Sequence, residues 1–322
     1  MLILAPGFIL VGCTAGDVVP ENKAHADAWR TTSPLRYAAE GSFSPISTLT
    51  ADTVEPFYGM QYVPIDELGM VSGLGVEVVL MAFEHDGPPE NWLAYLDEAQ
   101  VQGMQVIAWL WPPGWDWDGA EWQIDDQAEL FVRTVAGYPA LFAVYSLHEP
   151  YWMECEGCGY TTAEQQALYS AIKAIADVPI YSEINGIAFW AERGEETTFA
   201  DGICDYGATG YSPFKVGGIY EREELIAHLE ADLAVAREWA PNTKVVWIMQ
   251  SFEQPYEPYN FRMPAADEMR DLASVVYSSD IDGAFWYMWY WDNDLYSDFL
   301  SNHPELYPVV REIYESYVLT QP

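Results

Sequence analysis

Short apolar runs and longer amphipathic stretches alternate along most of this chain. The runs fall at Tyr58–Val63, Val76–Met81, Gln105–Trp111, Leu141–Leu147, Val178–Glu183, Ile203–Gly210, Lys244–Gln250 and Gly283–Tyr290. Each is short, almost continuously hydrophobic and rich in Val, Ile, Tyr or Trp, as strands buried on both faces of a parallel sheet should be. The stretches between them read as helices. Glu221–Ala240 sets Leu225, Leu229, Leu233 and Ala236 along one stripe. Thr162-Ala163-Glu164-Gln165 has the form of a capping box. Pro264 precedes Ala265–Tyr277, and Pro304 precedes the last helix, where first-turn prolines belong. The first interval is short, and the one from strand five to six lacks a clean helix. Eight βα units nonetheless predict an α/β fold, a (β/α)8 or TIM barrel in one domain. A doubly wound open sheet is the competitor, but it would carry a glycine-rich turn after its first strand. Here that turn reads Pro64-Ile65-Asp66-Glu67-Leu68-Gly69, which offers no phosphate cradle.

The barrel is expected over 56–322, preceded by a tether or cover segment over 14–55. Residues 1–13 are a separate object. Met1–Val11 is apolar but too short to cross a bilayer as a helix. It ends in Leu10-Val11-Gly12-Cys13, which resembles the lipobox of secreted lipoproteins. That resemblance implies cleavage before Cys13 and lipidation of Cys13. It also implies a mature protein outside the cytoplasmic membrane, held there by lipid alone. A short signal peptide or a buried strand are the plainer readings of the same residues. Cys155 and Cys158 form a C-x-x-C and Cys204 stands alone. A local disulfide stiffening a loop is favoured over zinc or redox chemistry, because neither a second pair nor a thioredoxin-like context is present.

Charge narrows the partners. Thirteen basic against fifty acidic residues leave a formal charge of −37. Such a surface repels phosphate backbones and anionic lipid headgroups, which excludes nucleic acid and a polybasic membrane patch. It is also a surface suited to high salt, where screening removes self-repulsion.

In a (β/α)8 barrel the site lies where the strands end. Strand two ends in Phe83-Glu84-His85-Asp86, strand three in Trp109-Leu110-Trp111 and then Trp115-Asp116-Trp117. Strand four ends in His148-Glu149-Pro150-Tyr151-Trp152, strand five in Glu183-Ile184-Asn185-Gly186, and strand six in Thr209-Gly210-Tyr211. Strand seven reaches Gln250-Ser251-Phe252-Glu253, and strand eight Trp289-Tyr290-Trp291. Carboxylates and a high density of Trp and Tyr converge there. Flat aromatic rings give sugar C–H faces a desolvated platform at low entropic cost. Paired carboxyls are what glycoside cleavage needs, one protonated to donate and one ionised to attack or to activate water.

Tyr138-Pro139-Ala140-Leu141-Phe142-Ala143-Val144-Tyr145-Ser146-Leu147-His148-Glu149-Pro150 resembles the fourth-strand motif of clan A glycoside hydrolases. Arg262-Met263-Pro264, Glu268-Met269-Arg270 and Gly283-Ala284-Phe285-Trp286-Tyr287 resemble the seventh-to-eighth segment of that group. Asp205-Tyr206 and Tyr211-Ser212-Pro213 resemble its sixth strand. The resemblance covers roughly 57–317 and implies that Glu149 is the proton donor. His148 replaces the asparagine of many relatives, and an imidazole can still donate to a sugar hydroxyl. The clan's nucleophile, a glutamate ending strand seven, is replaced by Gln250, which cannot ionise. Glu253, Glu183 and Asp205 are the candidates for a second carboxyl. A substrate acetamido group in that role, or loss of catalysis, are the remaining options. His148, Trp109, Trp115, Trp152, Tyr211, Gln250 and Trp289 are the expected sugar-contacting residues. No cofactor motif is present. Only His85 and His148 of the five histidines fall at strand ends, which argues against a metal-dependent hydrolase. The absence of a Gly-x-Ser-x-Gly elbow argues against Ser/His/Asp chemistry.

The expected activity is therefore hydrolysis of a neutral or weakly charged oligo- or polysaccharide, by a monomer outside the cytoplasm. The alternative is a lipid-anchored barrel that binds glycans without cutting them. The acidic surface makes one physical prediction. Melting temperature should climb as NaCl is raised from about 0.1 to about 1 M, where the Debye length shrinks to about 3 Å. A thermal-shift maximum in low-salt buffer would contradict it.

Overall fold

The computed structural model describes residues 56–150, 160–191, 199–255, 260–290 and 296–320. Eight strands, β1 (Phe57–Gln61), β2 (Val78–Glu84), β3 (Gln105–Trp111), β4 (Leu141–His148), β5 (Ile180–Glu183), β6 (Tyr206–Gly210), β7 (Lys244–Gln250) and β8 (Gly283–Tyr287), form a closed barrel. Every pairing is parallel, and β8 pairs with β1 to close it. Each strand is followed by a helix: α1 (Leu68–Gly73), α2 (Pro89–Val101), α3 (Asp126–Ala136), α4 (Thr162–Ile175), α5 (Ile187–Ala191), α6 (Arg222–Trp239), α7 (Ala266–Tyr277) and α8 (Tyr307–Ile313). The single-domain (β/α)8 barrel read from the hydrophobic runs is the observed fold. The segments 1–13 and 14–55, with Cys13, Trp152, Cys155 and Cys158, lie outside the described residues.

The strands are apolar on both faces because each face meets a different core. In β8, Ala284 and Trp286 point toward the helices, and Phe285 points into the barrel. The barrel floor is aromatic. Phe57 meets Phe142 and Phe285 edge-on, with ring centres 5.0 and 5.4 Å apart. The backbone accommodates this filling through two glycines. A Cβ on Gly59 would sit 2.3 Å from the Phe285 ring, and one on Gly283 would sit 2.4 Å from Phe57. Each ring thus occupies the space above its neighbour strand's glycine.

Local details differ from the sequence pattern. Thr161, not Thr162, caps α4, with its hydroxyl accepting from Glu164 N and the Glu164 carboxylate accepting from Thr161 N. Pro264 stands just outside α7, ahead of its N-cap Ala265. On α6 the buried stripe is Leu225, Leu229, Asp232 and Ala236, so a carboxylate occupies a place in the apolar face and Leu233 lies at its margin. Asp205, a candidate second carboxyl, precedes β6 at the end of the barrel opposite the strand C-termini. There it accepts from Ile180 N at 2.7 Å and Tyr169 Oη at 3.0 Å, and pairs with Lys173 at 3.0 Å.

Candidate active site

The site is built on an irregularity in β4. Its pairing with β5 runs Val144 to Ile180 and Tyr145 to Tyr181, and then His148 to Glu183, so β4 spends one more residue than its partner. Strict alternation would aim Leu147 into the barrel with Tyr145. The extra residue sends Leu147 into the helix-side core instead and returns His148 to the inner face. Carbonyls displaced from the ladder are satisfied by side chains. Trp115 Nε1 donates to Ser146 O at 2.9 Å, and Ser182 Oγ donates to Leu147 O at 3.1 Å. Ser146 Oγ in turn donates to Tyr181 O at 3.1 Å.

Beyond the bulge the backbone turns sharply. Glu149 adopts φ 45° while its N–H still donates to Glu183 O at 2.7 Å. Tyr62, after β1, and Asn185, after β5, are also left-handed, with φ 59° and 27°. Side chains bearing a Cβ take such conformations at a cost of roughly 1–3 kcal/mol. Three of them sit where barrel strands end, so the strain is concentrated at the mouth.

Two carboxyls meet there. Asn185 Nδ2 donates to Glu149 Oε1 at 2.7 Å and approaches Glu183 Oε1 at 3.4 Å. Those two oxygens can be no farther apart than the two distances end to end, about 6 Å. His148 stands between the acids on the other side, Nε2 3.8 Å from Glu149 Oε2 and Nδ1 3.9 Å from Glu183 Oε2. Tyr145 Oη lies 2.8 Å from His148 Nδ1 and donates to Glu183 Oε2 at 3.3 Å. The acids differ in surroundings: the Glu149 side chain is 31% exposed and that of Glu183 only 3%. Burial pushes Glu183 above the usual carboxylate range and the Glu149 charge adds to this, while His148, Tyr145 and Asn185 pull it back. The phenols of Tyr62, Tyr145 and Tyr181 are lifted well above 10, first by burial and then by Glu183, so they remain donors.

Aromatic rings form the adjoining wall. Trp109 is stacked on Tyr145 at 4.7 Å and on His148 at 5.9 Å. It is itself buried, so it backs the mouth more than it faces it. Trp111, edge-on to Trp109 at 4.8 Å and 52% exposed, presents the open face. Tyr62 and Tyr287 meet edge-on across β1 and β8 at 5.8 Å.

The structure therefore brings Glu149, Glu183, His148 and Trp109 together and commits the other described candidates elsewhere. Trp115 closes the bulge from the helix side. Tyr211 donates to Glu224 and stacks on His228, with ring centres 4.2 Å apart, so α6 holds it. Trp289 is fully buried, stacked on Tyr307 and hydrogen-bonded to Glu67. Gln250 is buried with its amide consumed by backbone: it accepts from Phe214 N at 3.0 Å and donates to Arg262 O at 2.8 Å and Phe214 O at 3.2 Å. It fastens the loops after β6 and β7 together. Glu253 lies beyond β7 in a two-residue antiparallel pairing with Asp298–Phe299. Its neighbour Phe252 packs on Tyr287 in the inner core, so alternation turns Glu253 away, toward Ser297 Oγ at 2.8 Å. Asn185, Tyr62, Tyr145 and Trp111 were not singled out in the sequence. Tyr62, Asn185 and Trp111 carried only a position at a strand end, and Tyr145 its place within the fourth-strand motif. Among the described residues no group of three His, Cys, Asp or Glu is placed to hold a metal ion, and no helix is long and apolar enough to cross a membrane.

No family model matches the sequence, and no curated protein matches it. Solved structures do share the fold. The endo-beta-1,4-mannanase from Thermotoga petrophila superposes with a TM-score of 0.57 at 14% identity, over 84% of this chain and 78% of that one. GH5_18 from Streptomyces cattleya, in complex with GlcNAc, gives 0.57 at 12% identity, over 84% and 82%. At these identities the likeness is one of fold, a (β/α)8 barrel of the kind that these glycoside hydrolases use.

Burial of Glu183 has a thermodynamic consequence. Its folded-state pKa stands above the unfolded value, so the stability it contributes is complete below the unfolded pKa and is lost as pH rises through the folded one. Glu183→Gln, which cannot ionise, should therefore melt higher than the parent at about pH 8, with the gain vanishing near about pH 4. Thermal denaturation across that range checks the sign, and a gain largest in acid would contradict it.

Proposed function

We propose that this chain is a glycoside hydrolase acting outside the cytoplasm on a neutral or weakly charged oligo- or polysaccharide. One observation carries the reading: a single amide, Asn185 Nδ2, spans two carboxyls on adjacent strand ends beside an open aromatic face. A spacing of no more than about 6 Å falls within the reach of carboxyl pairs that share one glycosidic bond. Glu149, the more exposed acid, is the proton donor to the leaving oxygen. Glu183 is its partner, 3% exposed, and burial raises its pKa above the usual carboxylate range. Trp111 offers a ring for a sugar face. Among the described residues, the contacts of the two acids include no lysine or arginine. This suits a substrate without carboxylate or sulfate groups. The solved structures that share the fold, a mannanase and a GlcNAc complex, agree with a glycan ligand.

Glu149→Gln should lower kcat/KM on a responsive glycan by about 10²–10⁴-fold while binding persists. A panel of aryl glycosides and polysaccharides, with binding followed by calorimetry, tests this; unchanged turnover removes Glu149 from the mechanism. A second reading, a silent glycan-binding barrel, is favoured by Gln250, whose neutral amide is locked into backbone at the end of β7. Oligosaccharide binding by the parent protein with no reducing ends released would select it.

The location rests on Leu10-Val11-Gly12-Cys13. The full chain expressed in a bacterial host should enter the detergent phase on Triton X-114 partition and the Cys13→Ala variant the aqueous phase. Equal partition of the two would end the lipid-anchor reading.

A further inference from the structure

Asp232 is a buried carboxylate that the chemistry above does not use. It is 6% exposed, on the apolar face of α6 between Leu229 and Ala236. An unpaired charge there would be strongly destabilising, so its partners are informative. Thr209 Oγ1, on the outer side of β6, donates to Asp232 Oδ2 at 2.5 Å, and Ala188 N donates to Oδ1 at 2.8 Å. Ile187 N also donates to the carboxylate. The same Thr209 oxygen accepts from Gly186 N at 3.0 Å. Three successive amides, 186 to 188, are thus gathered onto one hydroxyl–carboxylate pair. These amides directly follow Asn185, whose left-handed φ of 27° costs free energy that the held segment offsets, while Gly186 takes its φ of 72° freely.

We infer that Asp232, acting through Thr209, is a positioning residue for the candidate active site: it anchors the turn after β5 so that the Asn185 amide spans Glu149 and Glu183. This deepens the proposed function and rests on that reading for its kinetic arm only. The physical chain is short. Asp232 orients the Thr209 hydroxyl, Thr209 and Asp232 fix the amides of 186 to 188, and the fixed backbone aims Asn185 Nδ2 at the two acids. Release of the turn withdraws from Glu183 one of the donors that favour its ionised form. The groups facing Glu183 from the packed elements are His148, Glu149 and Tyr145 of the β4 end, Tyr181 of β5, Tyr62 after β1 and Tyr287 of β8. His228 is the titratable neighbour of Asp232.

The test uses Thr209→Val, Thr209→Ser and Asp232→Asn in the full chain, each checked for fold by circular dichroism and melting. Glutamate side chains labelled with carbon-13 are titrated by NMR, and the Glu183 resonance is assigned by its loss in Glu183→Gln. In Thr209→Val and Asp232→Asn the Glu183 midpoint should move up by about one pH unit, the worth of one lost hydrogen bond to a carboxylate. Thr209→Ser should titrate like the parent. On a hydrolysed glycan, kcat should fall about tenfold with KM within about twofold, and serine should restore it. A lower melting temperature with an unmoved Glu183 midpoint in both folded variants would overturn the inference and leave Asp232 a purely structural group. A parent protein without hydrolytic activity would defeat the proposed function, while the NMR arm would still decide this inference.

Discussion

Two carboxyl groups that repel one another are held at one end of this barrel by a single side-chain amide, and most of the local architecture serves to keep that amide in place. Asn185 can reach both Glu149 and Glu183 only because its own backbone is left-handed and β4 has gained a residue relative to β5. The bulge exists because Trp115 and Ser182 satisfy the carbonyls it displaces. Each element of the mouth therefore depends on hydrogen bonds made on the other side of the sheet, toward the helices.

That arrangement places the cost of the site in the barrel wall rather than in its loops. Glu183 loses water, and three strand-end residues take up strained conformations. The barrel tolerates this because its floor is filled by interlocking rings over glycines, and closure leaves no strand edge to fray. A rigid floor and a strained rim are the usual division of labour when reacting groups must hold their geometry without help from substrate.

The surface and the site differ in character. The surface is densely acidic, whereas the described mouth is built of phenols, indoles, an imidazole and two acids, one of them buried. A neutral ligand can cross the field of such a surface without penalty, and an anionic one cannot. Under the proposed function, net charge would favour a neutral glycan over an anionic one.

The alternation of apolar runs was sufficient by itself for the barrel, since only strands with two buried faces read as unbroken hydrophobic segments, and β3 and β7 begin and end where those runs do. Knowing that strand ends converge also placed Glu149, Glu183 and His148 in one neighbourhood. Which way each strand-end side chain points was a matter for the tertiary structure. A tryptophan or glutamine at the end of a strand fits a mouth or a buried position equally well on composition; Trp115, Trp289 and Gln250 are buried with an N–H or amide paired, and Tyr211, half-buried, is held by Glu224 on α6. One inserted residue in β4 decided the facing of His148, and no periodicity within a single strand reveals a bulge, because a bulge is a relation between two strands. Asn185 and Asp232 belong to the same class: Glu149 lies 36 residues from Asn185, and Thr209 and Ala188 lie 23 and 44 residues from Asp232, so local sequence holds no record of those contacts.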